Sequence, residues 1–400
     1  MRVALLPVGF VAVCACAEAQ DRQFAEQVEA MAEELAPEVE RAVGLDFRYP
    51  ANVAVRTRED VYDYLRHKME AEFPPEELER LSTAYRLFRM IPEDLDLNQL
   101  ILDLYTEQVV GFYDPQSDTL YVVTGAESLE LRLIVGHELV HALQAQYVPL
   151  DSILTSRGDN DRRTAAQAVF EGQGVIASLH AMMPDGDLAA VPEFWTQMRE
   201  TIRQQESSMP VLGSAPLVLR ETLIFPYLGG ADFVRWFNER YPGSVPFGER
   251  LPESTEQVMH TDRYASGDRP TMLEFATDQE ILYEDGLGEF EMRVLMTELL
   301  GDEDDAAAAV IDWGGDRYAV FPVDSEHGLV WWSVWDSATA ADRFLRTFEP
   351  AWRRGLLSDR TFNVERTQLD GMPAVRLIDG PRGWSPSDAT TRVTIAPPPA

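Results

Sequence analysis

Apolar residues recur at helical spacing through the first hundred residues of the chain. The segments 24–35 and 61–69 each place their apolar side chains on one face of a helix. Pro74 and Pro75 then interrupt the pattern. Further helices are predicted at 76–89 and 91–104. The region 20–104 is therefore predicted to be a helical N-terminal cap.

The pattern changes to that of strands beyond residue 107. Residues 108–113 and 119–123 are rich in β-branched and aromatic side chains, and the Asp114-Pro115-Gln116-Ser117-Asp118 segment between them has the composition of a turn. The two runs therefore predict a β-hairpin. A helix is expected at 128–147 with Ser128 as its N-cap, followed by a polar loop at 151–163 and a second helix at 164–183.

Helices and strands continue to alternate in the second half of the chain. Helices are expected at 193–205 and 233–240, and the acidic run 301–305 marks a junction. Beyond the junction, the pattern predicts strands at 316–323 and 328–335, a helix at 337–348 and a hairpin at 361–378 that turns at Asp370-Gly371. Four tryptophans of this part could line a binding surface, but such residues more often fill a core: Trp313, Trp331, Trp332 and Trp335.

These elements together predict an α+β fold. The chain has 400 residues, enough for about two to three domains. We expect a helical region at 20–104, a core at 105–300 and a small α+β module at 301–395.

The segment 1–19 has the features of a secretory signal peptide. Arg2 precedes an apolar stretch at 3–17, and Ala17-Glu18-Ala19 has the small-x-small pattern of a cleavage site. The Val13-Cys14-Ala15-Cys16 segment also resembles a bacterial lipobox, in which Cys16 is lipidated and becomes the new N-terminus. The sequence leaves both routes open, and each predicts an extracytoplasmic protein, secreted or periplasmic. No later run of about 20 apolar residues predicts a transmembrane helix in the mature chain.

The composition is strongly acidic, with 68 acidic and 34 basic residues and a formal net charge of −34. A surface of that sign repels phosphate backbones and anionic lipids, so we expect neither nucleic-acid binding nor peripheral membrane docking. Cys14 and Cys16 are the two cysteines of the chain. Signal cleavage would leave a mature chain without a disulfide, so its stability must come from packing or a metal.

One short segment carries residues suited to metal chemistry. His137-Glu138-Leu139-Val140-His141 is an H-E-x-x-H motif inside the helix predicted at 128–147. Residues four apart on a helix differ in direction by about 40°, so both imidazoles face one side and can bind one Zn²⁺. Glu138 lies at the edge of that face, where its carboxylate can reach a water molecule without being a ligand. The motif therefore predicts a zinc site with Glu138 as general base.

A catalytic zinc site needs a third protein ligand and an open position. Glu171, on the helix predicted at 164–183, is the best candidate, because the chain between it and His141 has room for a loop and a returning helix. The small residues Gly172 and Gly174 would let that helix approach the motif helix closely. Other carboxylates compete less well, because a loop holds a ligand less rigidly than a helix: Asp151, Asp159 and Asp161 in the loop, and Asp185 and Asp187 beyond the helix.

Together with Glu171, the motif resembles that of the gluzincin zinc metallopeptidases. The segments Phe112-Tyr113-Asp114-Pro115, Phe170-Glu171-Gly172, 254–260 and 313–317 resemble an uncharacterised bacterial branch of metallopeptidases. The resemblance covers about residues 100–348 and implies a zincin-like core. It implies zinc ligation by His137, His141 and Glu171, with Glu138 as the general base.

The chain departs from the pattern of these families next to the third ligand. Gluzincins of the thermolysin type often place an Asp four residues after the ligand Glu, where this chain has Val175. The bacterial branch reads Glu-Gly-Asp-Ala, where this chain has Glu171-Gly172-Gln173-Gly174. Hydrogen-bond support for the ligands must then come from elsewhere, and the candidates are Gln173, Asp151 or a backbone carbonyl.

A hydrogen-bond donor from a distant segment commonly stabilises the oxyanion in zinc peptidases. His260, at the end of the 254–260 segment, and Tyr264 shortly after it are the candidates for this role. The alternative for both side chains is a structural hydrogen bond.

These observations predict an exported zinc-dependent metallopeptidase whose partner is a peptide or protein substrate. The strand predicted at 119–123 could pair with an extended substrate as an edge strand. Two other interpretations stay open, namely an exported non-catalytic zinc-containing scaffold or binding protein and a zinc amidase acting on cell-wall peptides. The sequence does not define the oligomeric state.

Overall fold

The computed structural model contains helices and strands that pack together throughout the residues that it describes. This arrangement confirms the predicted α+β class. In the described part of the chain, no helix has both the length and the apolar character that a membrane span requires. The structure describes residues 9–72, 74–124, 128–183, 194–195, 197–200, 204 and 209–396.

Four helices and one strand form the N-terminal region. The helical character predicted for this region is confirmed, and α3 begins with Pro75, where a missing N–H leaves no helical hydrogen bond unmade. The strand β1 was not predicted, because its five residues are held by pairing with a strand that follows much later in the chain. The elements are α1 (Gly9–Val43), β1 (Asn52–Arg56), α2 (Arg58–Glu72), α3 (Pro75–Leu87) and α4 (Leu97–Gln108).

A three-stranded sheet follows, built from β1, β2 (Gly111–Asp114) and β3 (Thr119–Val123). Strands β2 and β3 form the predicted hairpin, with Gly111 opposite Val122 and Asp114 opposite Thr119. Strand β1 pairs in parallel with the other side of β3. The expectation that 119–123 is an edge strand is therefore wrong, because β3 is central and the hairpin edge is β2.

Two long helices follow, of which the first packs on this sheet and the second packs on the first. Helix α5 (Ser128–Ala145) matches the predicted helix, and α7 (Asn160–Met182) is the predicted returning helix. The segment expected to be a loop is shorter than predicted, because it contains α6 (Leu150–Leu154) and because α7 begins at Asn160. The Asp159 side chain caps α7 by accepting a hydrogen bond from the backbone N–H of Arg162.

The next part of the chain is a set of helices, of which α9 (Leu217–Arg240) is the longest. The helix predicted at 233–240 is only its C-terminal part, because α9 continues through Pro226 in its interior. Pro226 is buried, so packing outweighs the hydrogen bond that a proline removes from a helix. The helix predicted at 193–205 lies largely outside the described residues. The elements are α8 (Pro210–Ser214), α9 (Leu217–Arg240), α10 (Thr255–Met259) and α11 (Thr261–Ser266).

The C-terminal part is built on a five-stranded sheet with the order β5-β6-β7-β9-β8, in which every neighbouring pair is antiparallel. The predicted strands, helix and hairpin are confirmed, including the turn at Asp370-Gly371, where both residues have positive φ. The elements are β4 (Leu273–Phe275), β5 (Tyr283–Asp285), α12 (Gly288–Leu300), α13 (Glu303–Val310), β6 (Trp313–Val323), β7 (Glu326–Trp335), α14 (Ala338–Arg354), β8 (Arg360–Leu369), β9 (Met372–Pro381) and β10 (Val393–Ile395).

The acidic run at 301–305 begins a helix. Asp302 is the N-cap of α13, and its carboxylate accepts a hydrogen bond from the backbone N–H of Asp305. Three acidic residues occupy the first turn, where the helix dipole favours negative charge. The run therefore stabilises a helix start between α12 and the large sheet.

One cluster of buried hydrophobic residues extends through all three predicted parts of the chain. Phe88 from the N-terminal region packs edge-on against Tyr318, Trp331 and Trp352, with ring centroids 4.9, 5.4 and 6.4 Å away. The core interpretation of the four tryptophans is confirmed, since each is 7% exposed or less: Trp313, Trp331, Trp332 and Trp335.

Helix α1 forms the support behind α5. Its buried residues Val28, Leu35 and Val39 belong to one hydrophobic cluster with Leu139 of α5 and Leu120 of β3. Leu35 is 1% exposed, and its Cδ1 atom is within van der Waals distance of the position that a side chain at Gly136 would occupy. The helix that carries the H-E-x-x-H motif therefore depends on α1 for its packing.

We predict that Leu35→Ala lowers the free energy of unfolding by about 2–5 kcal/mol, because the cavity that it leaves lies under α5. Glu33→Ala, at an exposed position of the same helix, should change that free energy by less than about 0.5 kcal/mol. Urea unfolding of both variants and the wild type measures the difference. Equal losses in the two variants would show that α1 does not support the core.

Candidate metal centre

The structure brings together the three side chains that the sequence proposes as metal ligands. His137 and His141 lie one turn apart on α5, and Glu171 reaches them from α7. His137 Nε2 is 3.0 Å from Glu171 Oε2, His141 Nε2 is 3.4 Å from the same oxygen, and the two Nε2 atoms are 3.1 Å apart. In the described part of the chain, this is the group of histidine and acidic side chains that could hold a metal ion.

The donor set fits a Zn²⁺ ion in both spacing and charge. Tetrahedral ligands at about 2.0–2.1 Å from zinc lie roughly 3.3–3.4 Å from one another, which is close to the three separations between these donors. Burial alone would lower the pKa of His141, but the Glu171 and Glu138 carboxylates and the Gln144 side chain together outweigh it and raise this pKa to about 9. The cluster therefore favours a positive charge at the point where the donors converge.

Glu138 lies beside the three donors and is 8% exposed. Burial raises the pKa of its carboxyl group, while the nearby His141 and His137 oppose that shift. The backbone N–H of Tyr113 on β2 lies near this carboxylate and also opposes the rise of its pKa. Strand β2 can lie this close because of Gly111, where a Cβ atom would stand 2.5 Å from Ile134 Cγ2. The hairpin thus orients a carboxylate that is not itself a member of the donor cluster.

Gln144 is a site residue that the sequence analysis missed. Its Oε1 atom is 2.9 Å from His141 Nδ1, and its amide nitrogen donates to the Phe170 carbonyl and to Gln173 Oε1. Gln173, which the sequence named as a candidate hydrogen-bond partner of the ligands, therefore contacts Gln144 and not a ligand histidine. The spacing held a usable signal, since a residue three positions after His141 lies on the same helix face.

Two glycines of α7 let other helices approach Glu171. A Cβ atom at Gly174 would lie 2.5 Å from Cε1 and 2.7 Å from Nδ1 of His137, so this position faces α5 as expected. Gly172 instead faces α9, where a Cβ atom would collide with the backbone of Gly230. The predicted close approach is thus confirmed at Gly174, and Gly172 serves a second approach that was not predicted.

The packing of α7 on α9 brings Tyr227 to the cluster, which the sequence analysis also missed. The Tyr227 ring stacks on His137 with centroids 5.9 Å apart and an interplanar angle of 26°. The Glu171 carboxylate lies near its phenol and raises the pKa of that phenol well above its usual range. The phenol therefore stays a hydrogen-bond donor at any working pH. No local pattern marks this residue, because only the packing of α9 places it here.

His260 and Tyr264 have other partners in the structure. His260 Nε2 is 2.8 Å from Glu289 Oε1, and the Tyr264 hydroxyl donates to the Arg250 carbonyl at 2.7 Å. The Tyr264 ring packs against Phe233, with the centroids 5.1 Å apart. These contacts correspond to the structural alternative for both residues, and their oxyanion role stays a prediction.

Two of the loop carboxylates that competed for the third ligand position have structural roles at the start of α7. Asp159 caps that helix, and Asp161 accepts hydrogen bonds from the backbone N–H and the hydroxyl of Thr255. Asp151 is the first acidic residue of α6. The donor cluster contains none of the three. The other competitors, Asp185 and Asp187, lie outside the described residues.

Comparisons with known proteins assign no role to the donor cluster. A family model described as a domain of unknown function (DUF8575) matches residues 279–396, which contain none of the donor cluster. No curated protein matches the chain. A solved structure from Chloroflexus aurantiacus, described as a candidate hydrolase with a novel fold, is 20% identical, with a TM-score of 0.40 over 62% of this chain and 90% of that chain. The likeness is too slight to carry an argument about fold or activity.

We predict that Gly174→Ala weakens metal binding by about 10–100-fold, the range expected when ligand orientation is disturbed. The new methyl group would collide with the His137 ring. Gly136→Ala is the matched control, because its Cβ would meet its nearest atom, Ser178 Cβ, at 3.5 Å, an ordinary contact. Competition with a chromophoric chelator measures both affinities, and an unchanged affinity in Gly174→Ala would contradict the described packing.

Proposed function

We propose that this protein is an exported zinc-dependent metallopeptidase. The observation that carries the proposal is the convergence of His137, His141 and Glu171 with a separate buried carboxylate, Glu138, beside them. Burying a charged group is costly, and a purely structural metal site has no need of a carboxylate beyond its ligands. A catalytic metal site does need such a carboxylate, because it serves as the general base.

Each side chain of the centre has a place in peptide hydrolysis. His137, His141 and Glu171 would hold the zinc, which supplies a Lewis acid that polarises the scissile carbonyl and lowers the pKa of water. Glu138 takes a proton from the attacking water and delivers it to the leaving amine. Because burial raises its pKa, Glu138 is matched more closely to neutral pH than an exposed glutamate, and this suits both proton transfers.

The edge of the small sheet supports a peptide as the substrate. The backbone N–H of Val123 donates to the Val110 carbonyl, so by strand alternation the backbone groups of Gly111 and Tyr113 point away from β3. No further strand pairs with β2 among the described residues. The Tyr113 N–H lies near Glu138, so the Gly111 groups and the Tyr113 carbonyl are the backbone groups best placed to bind an extended chain.

Tyr227 fits the role of oxyanion donor better than His260 or Tyr264. Its phenol lies next to the ligands and keeps its proton, and the side chain is 41% exposed, so a substrate can reach it. A donor in this position would stabilise the negative charge that develops on the carbonyl oxygen.

The export of the protein and its substrate are part of the same proposal. The segment 1–19 supports export, with cleavage after Ala19 or lipidation at Cys16 as the two routes. A zinc amidase acting on cell-wall peptides would use the same centre. A non-catalytic zinc scaffold would bind the metal without turnover. Casein digestion with and without a chelator separates the scaffold from the hydrolases, and defined cell-wall peptides separate the amidase.

Two substitutions of the same chemical kind test the two carboxylates. Glu138→Gln should leave zinc binding nearly intact and lower turnover by about 10²–10⁴-fold, because an amide cannot accept the proton of water. Glu171→Gln should lose zinc during dialysis, because the amide is a far weaker ligand. Metal content and peptide hydrolysis are measured for both variants. Wild-type turnover in Glu138→Gln would refute the mechanism, and full zinc occupancy in Glu171→Gln would move the third ligand elsewhere.

Tyr227→Phe should lower kcat by about 10²–10³-fold with the zinc content unchanged, because it removes one donor to the oxyanion and keeps the ring. Tyr264→Phe tests the competing assignment made from the sequence. A loss of kcat in Tyr264→Phe alone would favour that assignment and remove Tyr227 from the mechanism. The measurement is steady-state cleavage of a fluorogenic peptide by each zinc-loaded variant.

A further inference from the structure

Gln144 is fully buried at the junction between the two helices that carry the ligands. It follows His141 by one turn on α5, and its Oε1 atom lies 2.9 Å from His141 Nδ1. Its Nε2 atom is 3.2 Å from the carbonyl oxygen of Phe170 and 2.9 Å from Oε1 of Gln173, both on α7. Every polar atom of this amide therefore has a partner.

These partners determine which end of the amide faces the histidine. The carbonyl oxygen of Phe170 can only accept a hydrogen bond, so the amide nitrogen of Gln144 must face it. The amide oxygen then faces His141 Nδ1 and can also only accept, so that Nδ1 must carry a proton. In the neutral imidazole, which is the form that binds a metal, the lone pair then lies on Nε2, the atom that faces His137 and Glu171.

We infer that Gln144 is a positioning residue that holds His141 in the tautomer able to bind a metal, and that Gln173 holds Gln144 in the required orientation. The inference rests on the proposed metal site. In many metal centres a carboxylate accepts the second ring N–H of the histidine. A neutral amide performs the same task here without adding a third negative charge beside Glu171 and Glu138.

Two substitutions at position 144 separate positioning from a merely structural link between the helices. Gln144→Met removes both hydrogen-bonding ends and should weaken zinc affinity by about 10–100-fold. Gln144→Glu keeps an acceptor for His141 Nδ1 but cannot donate to the Phe170 carbonyl, so we expect zinc affinity equal to or above that of the wild type. If Gln144 only links α5 to α7, both variants should weaken binding alike. Chelator competition on the purified full-length protein gives the dissociation constants.

Gln146→Met is the matched control for the loss of a buried glutamine near the end of α5. Gln146 is 6% exposed, accepts a hydrogen bond from the Arg48 N–H at 2.7 Å and donates to the Tyr49 carbonyl at 2.9 Å. We expect it to bind zinc as the wild type does, with thermal unfolding curves verifying that all variants are folded. Gln173→Met should weaken binding less than Gln144→Met, because the Phe170 carbonyl still orients the amide.

The outcomes keep this inference distinct from the proposed function. Wild-type zinc affinity in Gln144→Met, or an equal loss in Gln144→Met and Gln144→Glu, would overturn the positioning role and leave the metal centre standing. A wild-type protein that binds no zinc would overturn both.

Discussion

Helix α7 must approach two other helices at almost the same height, and the metal centre depends on that constraint. Gly174 allows the close approach of His137 on α5, and Gly172 with Gly230 allows the close approach of α9. Around the axis of α7, the Glu171 side chain points between the directions of Gly174 and Gly172. Its carboxylate therefore contacts the histidines of α5 and lies near Tyr227 of α9. Each mid-helix glycine costs about 0.5–1 kcal/mol relative to alanine, and the close packing offsets that cost.

The features that local pattern could predict are those in which neighbouring residues decide the outcome. The helical repeat and the four-residue spacing of His137 and His141 fix one face of α5, and the turn residues between β2 and β3 fix the hairpin. Glu171 could be predicted for a similar reason, because the small residues beside it indicate a helix that packs closely. The Gln144 contact was within reach of the same reasoning, since it follows from a three-residue spacing.

The features that could not be predicted arise from pairing over long distances in sequence. Residues Pro226, Gly229 and Gly230 are typical of a helix break, yet the packing of α9 on α7 keeps the helix continuous and carries Tyr227 to the centre. Strand β1 pairs in parallel with β3, and this pairing makes β2 the edge. Nothing in the residues 52–56 by themselves indicates such a partner.

The burial of Phe88 shows that the segment matched by the domain of unknown function packs against a residue outside that segment. The matched segment begins at residue 279. It therefore contains Tyr318, Trp331 and Trp352 but not Phe88, the aromatic ring that packs against all three. If the chain were cut at that boundary, the apolar surface that Phe88 covers on these three rings would be exposed to water. In this chain the packed unit therefore extends beyond the matched segment, because Phe88 of the N-terminal region completes its aromatic cluster.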